Sequence, residues 1–103
     1  MGGVHRVVMF VFDGVQSLDV SGPAEVLAGA SLLVPGRGYD FSIVSIRGGT
    51  VTSHSAVSID SQRLDDRLRA DRDPVDTVIL PGGNGIVDVI DDTDTLHAVA
   101  ALI

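Results

Sequence analysis

The sequence predicts an α/β fold, a doubly wound parallel sheet with helices on both faces. Three apolar runs resemble buried strands, helical segments follow two of them, and glycine-containing turns come directly after the runs. Apolar residues make up 45% of the chain and aromatic residues only 4%, so the core consists mainly of Val, Ile, Leu and Ala. That composition suits a parallel sheet packed under helices better than an aromatic-rich sandwich.

The amino-terminal part of the chain contains the clearest strand and the longest helix. Arg6–Phe12 is a continuous apolar run that stops at Asp13-Gly14, as expected of a strand buried on both faces. A helix is predicted over Leu18–Leu33, and its apolar residues near one face are Leu18, Val26, Ala30 and Leu33.

The start of this helix is open between two alternatives. Either Ser17 caps the helix and Pro23 kinks it, or Ser21 caps a later beginning. The glycines and the proline of residues 35–38 end it.

The rest of the chain continues the alternation of strands and helices. The predicted elements are a strand over Tyr39–Ile46, a hairpin or edge pair from Val51-Thr52 and Val57–Ile59, a strand over Asp76–Leu80 and a helix from about Thr93. Before the third strand, residues 61–74 are rich in Asp and Arg. Leu64 and Leu68 there, four residues apart, predict one or two helical turns on the surface.

The last helix leads us to expect that residues 1–103 are the amino-terminal part of a single domain, incomplete at its carboxyl end. Its apolar positions follow helical spacing up to Ile103, with no capping signal after them. Three parallel strands and one unfinished helix would leave part of the sheet uncovered. The uncovered apolar faces predict association with another copy or with a remainder of the fold.

Charge and composition exclude several kinds of protein. The net charge of −7 repels phosphate backbones, so we expect no direct nucleic-acid contact. The sequence contains no cysteine, which excludes disulfides and thiolate metal sites. We expect no membrane span, because no apolar run reaches about 18 residues. We expect no signal peptide either, because the apolar run after Arg6 is short and is interrupted at Asp13, and therefore we expect a cytoplasmic location.

Simple catalytic and metal-binding motifs are absent from the sequence. There is no phosphate-binding glycine motif, no nucleophile elbow and no metalloprotease helix. His5, His54 and His97 are far apart and predict no shared metal site. The run Asp91-Asp92-Thr93-Asp94 is interpreted as capping of the last helix, so we predict no metal and no cofactor.

Two loops after predicted strands are the candidate site, because ligands of open α/β sheets bind at the carboxyl ends of the strands. The first loop contains Asp19 and continues into the helix that contains Glu25. The second is Pro81-Gly82-Gly83-Asn84-Gly85, where small residues allow a sharp turn or close approach.

These two loops resemble the ThiJ/PfpI family, a class I glutamine amidotransferase-like group with a flavodoxin-like fold. The similarity lies in Phe12-Asp13-Gly14, Leu18-Asp19 and Gly22-Pro23-Ala24-Glu25-Val26, and in Asp76 to Gly83 with the elements between in the same order. Within that family, the chain is most similar to the amino-terminal domains of AraC-family transcriptional regulators. Isocyanide hydratase-like enzymes share the Asp-x-x-Gly-Pro segment.

The resemblance implies roles for individual residues. Asp19 matches an acidic residue that faces a cysteine nucleophile, with which it would share a proton. Gly83 matches a backbone donor of an oxyanion pocket, and Gly82 and Asn84 would shape its turn. A site role for Glu25 is the weaker reading, since a helix surface or a dimer contact explains it.

Three functions follow from the resemblance. The first is the ligand-sensing and dimerising domain of an AraC-family regulator, whose DNA contact comes from a helix-turn-helix domain outside these residues. The second is a cysteine-dependent enzyme of the isocyanide hydratase or amidase kind; the nucleophile is absent here, so this chain alone is not expected to catalyse a reaction. The third is an inert module that kept only the fold.

Overall fold

The central strand of the sheet is β1 (His5–Phe10), in a computed structural model that describes residues 5–34, 38–66 and 75–101. Val8, Met9 and Val11 are 0% exposed, so consecutive side chains on both faces of this strand are buried. The continuous apolar run therefore does form the predicted doubly covered strand, although the regular strand ends two residues before Phe12.

The described strands form one five-stranded sheet in the order β3-β4-β2-β1-β5. The remaining strands are β2 (Tyr39–Ser45), β3 (Gly49–Thr52), β4 (Ser58–Arg63) and β5 (Thr77–Ile79). Strand β1 pairs in parallel with β2 on one side and with β5 on the other, and β4 pairs in parallel with β2. The predicted α/β class is confirmed, with a sheet that is parallel except at one edge.

That edge is the predicted hairpin. Strands β3 and β4 pair antiparallel, with Val51 opposite Ile59. The predicted hairpin strands lie at the right place but are shorter than the observed ones. Strand β4 continues to Arg63, and its last residues pair with β2. The predicted helical turns over residues 61–74 fall largely outside the described residues, although residues 64–66 are helical. Leu64 is only 1% exposed, so it does not lie on the surface as we expected.

The first helix, α1 (Ser17–Leu33), starts differently from both alternatives. Gln16 is the residue at the N-cap, and its side chain makes no capping hydrogen bond. Ser17 is already helical, and Pro23 lies inside the helix. The backbone bonds of the preceding loop, described below, set the helix start in place of a side-chain cap.

The buried face of α1 was also predicted wrongly. Val20 is its one buried residue among those described, whereas Leu18, Val26 and Leu33 are between 69% and 83% exposed. Apolar residues lie all round this helix, a distribution typical of a helix that is covered on more than one side. Sequence periodicity therefore could not tell which side faces this sheet.

Two short helices follow β5. The first, α2 (Ile86–Asp91), was not predicted, since four of its six residues are Val or Ile, which are more typical of a strand. The second, α3 (Thr93–Ala100), begins where expected. Asp92 caps it by accepting hydrogen bonds from the amides of Asp94 and Thr95, as the capping interpretation of this acidic run required.

Candidate functional site

The two candidate loops meet at the point where the sheet changes direction. From β1 the chain passes through α1 to β2 on one side, and β5 lies on the other side of β1. The carboxyl ends of β1 and β5 are therefore neighbours, and the loops after them flank the switch point where ligands of open α/β sheets bind.

The loop after β1 is held on one side by the turn between β3 and β4. The Gly14 amide donates to the Thr52 carbonyl oxygen over 2.8 Å, and the His54 amide donates to the Val15 carbonyl oxygen over 2.9 Å. The Asp13 carboxylate accepts the Thr52 amide over 3.0 Å. Residues 14–16 thus pair with residues 52–54 much as two strands would.

The same segment is held on its other side by the glycine loop after β5. Val15 and Gly83 form an antiparallel bridge, and the Gln16 amide donates to the Gly82 carbonyl oxygen over 2.8 Å. The Gly85 amide donates back to Gly14 over 3.2 Å. Residues 14–16 are consequently the middle of three backbone segments that lie side by side, which fixes the site without long side chains.

Asp19 joins the first turn of α1 to the glycine loop. Its Oδ2 accepts the Gly82 amide over 3.0 Å, and the side chain is half-buried. A carboxylate that accepts a backbone N–H is a strong acceptor, so this bond helps to set the position of the loop. The structure therefore brings together two residues that the sequence analysis singled out, Asp19 and Gly82.

Gly83 occupies a position that a larger residue could not. Its φ is +137°, and a Cβ there would lie 2.6 Å from the Gln16 nitrogen and 2.8 Å from the Val15 carbonyl carbon. Such approaches are well inside van der Waals contact. The close packing of the glycine loop against residues 14–16 depends on this missing side chain.

Three polar groups at this site have no partner within the chain's described part. The Gly83 amide donates to no acceptor, the second carboxylate oxygen of Asp19 accepts from no donor, and the Asn84 side chain makes no hydrogen bond. Asn84 is exposed, and Gly83 and Asp19 are half-buried. The site thus offers one backbone donor, one carboxylate acceptor and one amide to a molecule from outside.

Glu25 does not lie with the polar groups of Asp19, Gly83 and Asn84. It lies six positions after Asp19 in α1, about 9 Å further along the helix axis, and its side chain is exposed. It makes no hydrogen bond or ion pair with any other residue that the structure describes. A site role for Glu25 stays a prediction without a contact that supports it.

Sequence reasoning missed the turn between β3 and β4 as a wall of the site. Besides the backbone bonds to residues 13–15, the Ser17 and Ser55 hydroxyl oxygens lie 3.1 Å apart, which ties the turn to the start of α1. Ala56 has a φ of +65°, the left-handed conformation that a three-residue hairpin loop needs at its last position. No local pattern could have revealed this, since about 40 residues separate the partners.

A second concavity lies at the carboxyl ends of β2 and β4, beside α3. This cleft of about 420 Å³ is lined by Arg47, Arg63 and Asp92 among others. Hydrogen bonds from the Thr95 hydroxyl and amide, and to a lesser extent the Arg47 charge, hold the pKa of Asp92 below its ordinary value. The Asp92 carboxylate already caps α3, and Arg63 already pairs with Asp65, so two of these charged groups have structural roles.

Metal and membrane features can be stated for the described residues. No three His, Asp or Glu side chains in residues 5–34, 38–66 and 75–101 lie close enough to hold a metal ion. In the same part of the chain, no helix is both long and apolar enough to span a bilayer.

The fold and site define a class of protein: an α/β protein whose candidate site lies at the switch point of a mostly parallel sheet, between an acidic residue and a glycine loop. The chain belongs to the DJ-1/PfpI family, whose model matches residues 5–102. It is 40% identical over 84 residues to an uncharacterized protein in the cpoL 5′ region of Streptomyces lividans. That match covers 82% of this chain and 55% of the relative.

Solved structures agree with this assignment. A ThiJ/PfpI family protein from Pseudomonas syringae superimposes with a TM-score of 0.76 at 25% identity, over 96% of this chain and 38% of that one. DJ-1beta of Drosophila melanogaster gives 0.71 at 19% identity, over 94% of this chain and 48% of that one, and shares the fold. The chain thus spans between about two fifths and just over half of each protein's length.

Proposed function

We propose that this chain forms part of a ligand-sensing and dimerising domain in an AraC-family transcriptional regulator. The observation that carries the proposal is the Asp19 carboxylate accepting the Gly82 amide over 3.0 Å. Through this bond, anything that binds Asp19 also acts on the loop after β5 and on the start of α1. A ligand that prefers one position of these elements would shift the equilibrium between two arrangements of the protein.

The exposed apolar surface of α1 supports the dimerisation part of the proposal. Leu32 and Leu33 are both 83% exposed, and Leu18 and Val26 about 70%. Large exposed apolar groups on one helix are typical of a surface that another chain or domain covers. Because α1 also holds Asp19, an interface on this helix would be coupled directly to the ligand site.

The charge of the chain supports the proposal that a different domain of the protein binds DNA. With a net charge of −7, this part would be repelled by DNA. We therefore propose that DNA is bound by a basic helix-turn-helix domain elsewhere in the protein, and that the protein acts in the cytoplasm. The ligand is a small molecule, and the proposal needs no metal and no cofactor.

The rival function is a cysteine-dependent enzyme of the isocyanide hydratase or amidase kind. The unpaired Gly83 amide favours it, because a free backbone donor at this point could stabilise a developing oxyanion. Asp19 would then exchange a proton with a thiolate nucleophile. This sequence contains no cysteine, so the nucleophile would have to come from outside these residues.

The test uses the full-length protein encoded by the gene. Fluorescence anisotropy with DNA from its own upstream region should show specific, salt-dependent binding, and a reporter driven by that DNA should respond to Asp19→Ala. Asp66→Ala, which removes the same charge from an exposed residue outside α1 and both candidate loops, is the matched control and should leave the response unchanged. Absence of DNA binding, together with turnover of an isocyanide or amide that Asp19→Asn abolishes, would replace the regulator with the enzyme.

A further inference from the structure

The glycine loop after β5 contains a dipeptide with a reactivity of its own. Asn84 is the single asparagine of the sequence, and Gly85 follows it directly. In an Asn-Gly pair the backbone nitrogen of the glycine can attack the asparagine side-chain carbonyl carbon, because glycine has no side chain to hinder the approach. The Asn84 side chain is exposed and makes no hydrogen bond to any residue that the structure describes, so no contact there holds it away from this reaction.

The reaction balances with water as the only co-reactant. The Gly85 nitrogen loses its proton to solvent and forms a bond to the Asn84 Cγ atom, and the side-chain nitrogen takes up a proton and leaves as ammonia. The product is a cyclic succinimide. Water then opens the ring at either carbonyl group, which gives aspartate or, where the main chain now runs through the former side-chain carbonyl, isoaspartate. No oxidant, metal or second enzyme is required.

The structure holds the attacking nitrogen in a different contact. The Gly85 amide donates to the Gly14 carbonyl oxygen over 3.2 Å. The packing here is close, since a Cβ added to Gly85 would meet the Asp13 carbonyl oxygen, and a Cβ added to Gly14 would lie 2.8 Å from the Gly85 nitrogen. An amide that donates a hydrogen bond and is packed in this way neither loses its proton readily nor turns towards the Asn84 side chain.

Reaction therefore requires the glycine loop to move away from residues 14–16. Besides the Gly85 bond, two contacts hold the loop there. The Gln16 amide donates to the Gly82 carbonyl oxygen over 2.8 Å, and Asp19 Oδ2 accepts the Gly82 amide over 3.0 Å. Each hydrogen bond shifts the opening equilibrium by about fivefold. Together they reduce the population of the open loop, and with it the reaction rate, by about a hundredfold.

We propose that Asn84 is a site of spontaneous deamidation, and that the packing of the glycine loop against residues 14–16 protects it. Isoaspartate adds a methylene group to the main chain just before Gly85. The Ile86 amide donates to the Gly83 carbonyl oxygen over 3.1 Å across this point, while Gly85 is bonded to Gly14. The longer main chain cannot keep both bonds, so deamidation converts a transient opening of the loop into a lasting one. The inference is the same for a regulator and for an enzyme.

Mass spectrometry measures the reaction in the proteolytic peptide that contains Asn84, through the mass gained when an NH2 group is replaced by OH. The full-length protein and a synthetic peptide of residues 80–89 are incubated in the same buffer at neutral pH. The synthetic peptide lacks residues 14–16 and gives the unprotected rate. We expect the protein to react about a hundredfold more slowly. A difference of less than about tenfold would show that the packed loop does not protect Asn84.

Two variants separate opening of the loop from unfolding of the chain. Asp19→Ala removes one bond that holds the loop, so deamidation should become about fivefold faster. Asp76→Ala is the matched control, because it removes a carboxylate that accepts the Arg6 amide over 2.8 Å at the opposite, amino-terminal edge of the sheet. It should leave the rate unchanged. Asn84→Gln has a longer side chain that closes a ring far more slowly, and it should abolish the mass change.

Three results would overturn the proposal. An equal acceleration in Asp19→Ala and Asp76→Ala would mean that Asn84 reacts through unfolding of the whole chain. An unchanged rate in Asp19→Ala would mean that the loop contacts do not control the reaction. No mass change in the protein or in Asp19→Ala, after the synthetic peptide has reacted completely and for many times longer, would remove Asn84 as a modification site. The experiment contains neither DNA nor a ligand, so its outcome is independent of the proposed function.

Discussion

Replacing Gly83 by alanine is the sharpest test of the three-segment arrangement at the site. The added methyl group would lie 2.6 Å from the Gln16 nitrogen and 2.8 Å from the Val15 carbonyl carbon, and the glycine has a φ of +137°. All of the crowded atoms belong to backbone that is hydrogen-bonded on both sides. They cannot move away as the end of a flexible side chain would.

The expected loss of stability follows from two additive contributions. A left-handed conformation costs an alanine about 1–3 kcal/mol, and overpacking by a methylene costs about 1–3 kcal/mol more. We therefore expect the free energy of unfolding to fall by about 2–6 kcal/mol. Native domains have only about 5–15 kcal/mol in total, so the upper end of this range would leave the chain unfolded.

Equilibrium urea unfolding followed by circular dichroism measures this change. Gly82→Ala is the matched control within the loop, since its methyl group would meet only the Asp19 Oδ2 atom, at 3.3 Å. It should cost less than about 1 kcal/mol, because a side-chain end can adjust. Gly29→Ala in α1 meets nothing within 4 Å and should stabilise the helix by about 0.5–1 kcal/mol.

The test depends on the order of the three variants in free energy of unfolding. A loss of less than about 1 kcal/mol in Gly83→Ala, or a loss equal to that in Gly82→Ala, would refute the close packing of the glycine loop against residues 14–16. The site would then be more open than the structure indicates, and the assignment of Gly83 as its backbone donor would lose its basis.

Three further predictions concern Asp19, Asp92 and Ala56. Asp19→Ala should cost about 1 kcal/mol and speed hydrogen exchange of the Gly82 amide, whereas Asp19→Asn, which keeps an acceptor, should change that exchange little. The Thr95 hydrogen bonds hold the pKa of Asp92 below its ordinary value of 3.8. The ionised Asp92 carboxylate therefore stabilises the folded state at pH values above 3.8, and this stabilisation is lost as the pH falls through the lowered pKa. The stability difference between wild type and Asp92→Ala, from urea unfolding at several pH values, should therefore shrink on acidification; a constant difference would contradict the cap. Ala56→Gly relieves a φ of +65° and should raise the melting temperature by up to about 4–8 °C, and a decrease would contradict the strained turn.

The doubly buried first strand and the alternation of strands and helices could be anticipated because their signals are local. The apolar run that includes Val8 and Met9 is typical of a strand covered on both faces, and the helical segments after the first and third runs favour a parallel sheet. The acid cap at Asp92 was predictable for a similar reason, since its partners lie within three residues along the chain.

Other features depended on contacts between distant parts of the chain. The helix α1 begins at Ser17 because the preceding loop is fixed by backbone bonds to residues 52–54 and 82–85. Apolar residues lie on all sides of α1, so their spacing did not show which side is buried, and the predicted face that includes Leu18 is exposed. The helix α2 is rich in β-branched residues, which suit a strand at least as well, so its local sequence did not indicate a helix.

The sequence by itself indicated the α/β class, because burial and turns are encoded within a few neighbouring residues. Its resemblance to the ThiJ/PfpI family, which the matching family model confirms, singled out Asp19 and Gly83 as candidate site residues. The tertiary structure alone decided that Asp19 holds the Gly82 amide and that the turn around His54 forms a third wall. Those contacts join groups up to 63 residues apart, and each uses a backbone N–H, which every residue except proline carries and which therefore leaves no mark in the sequence.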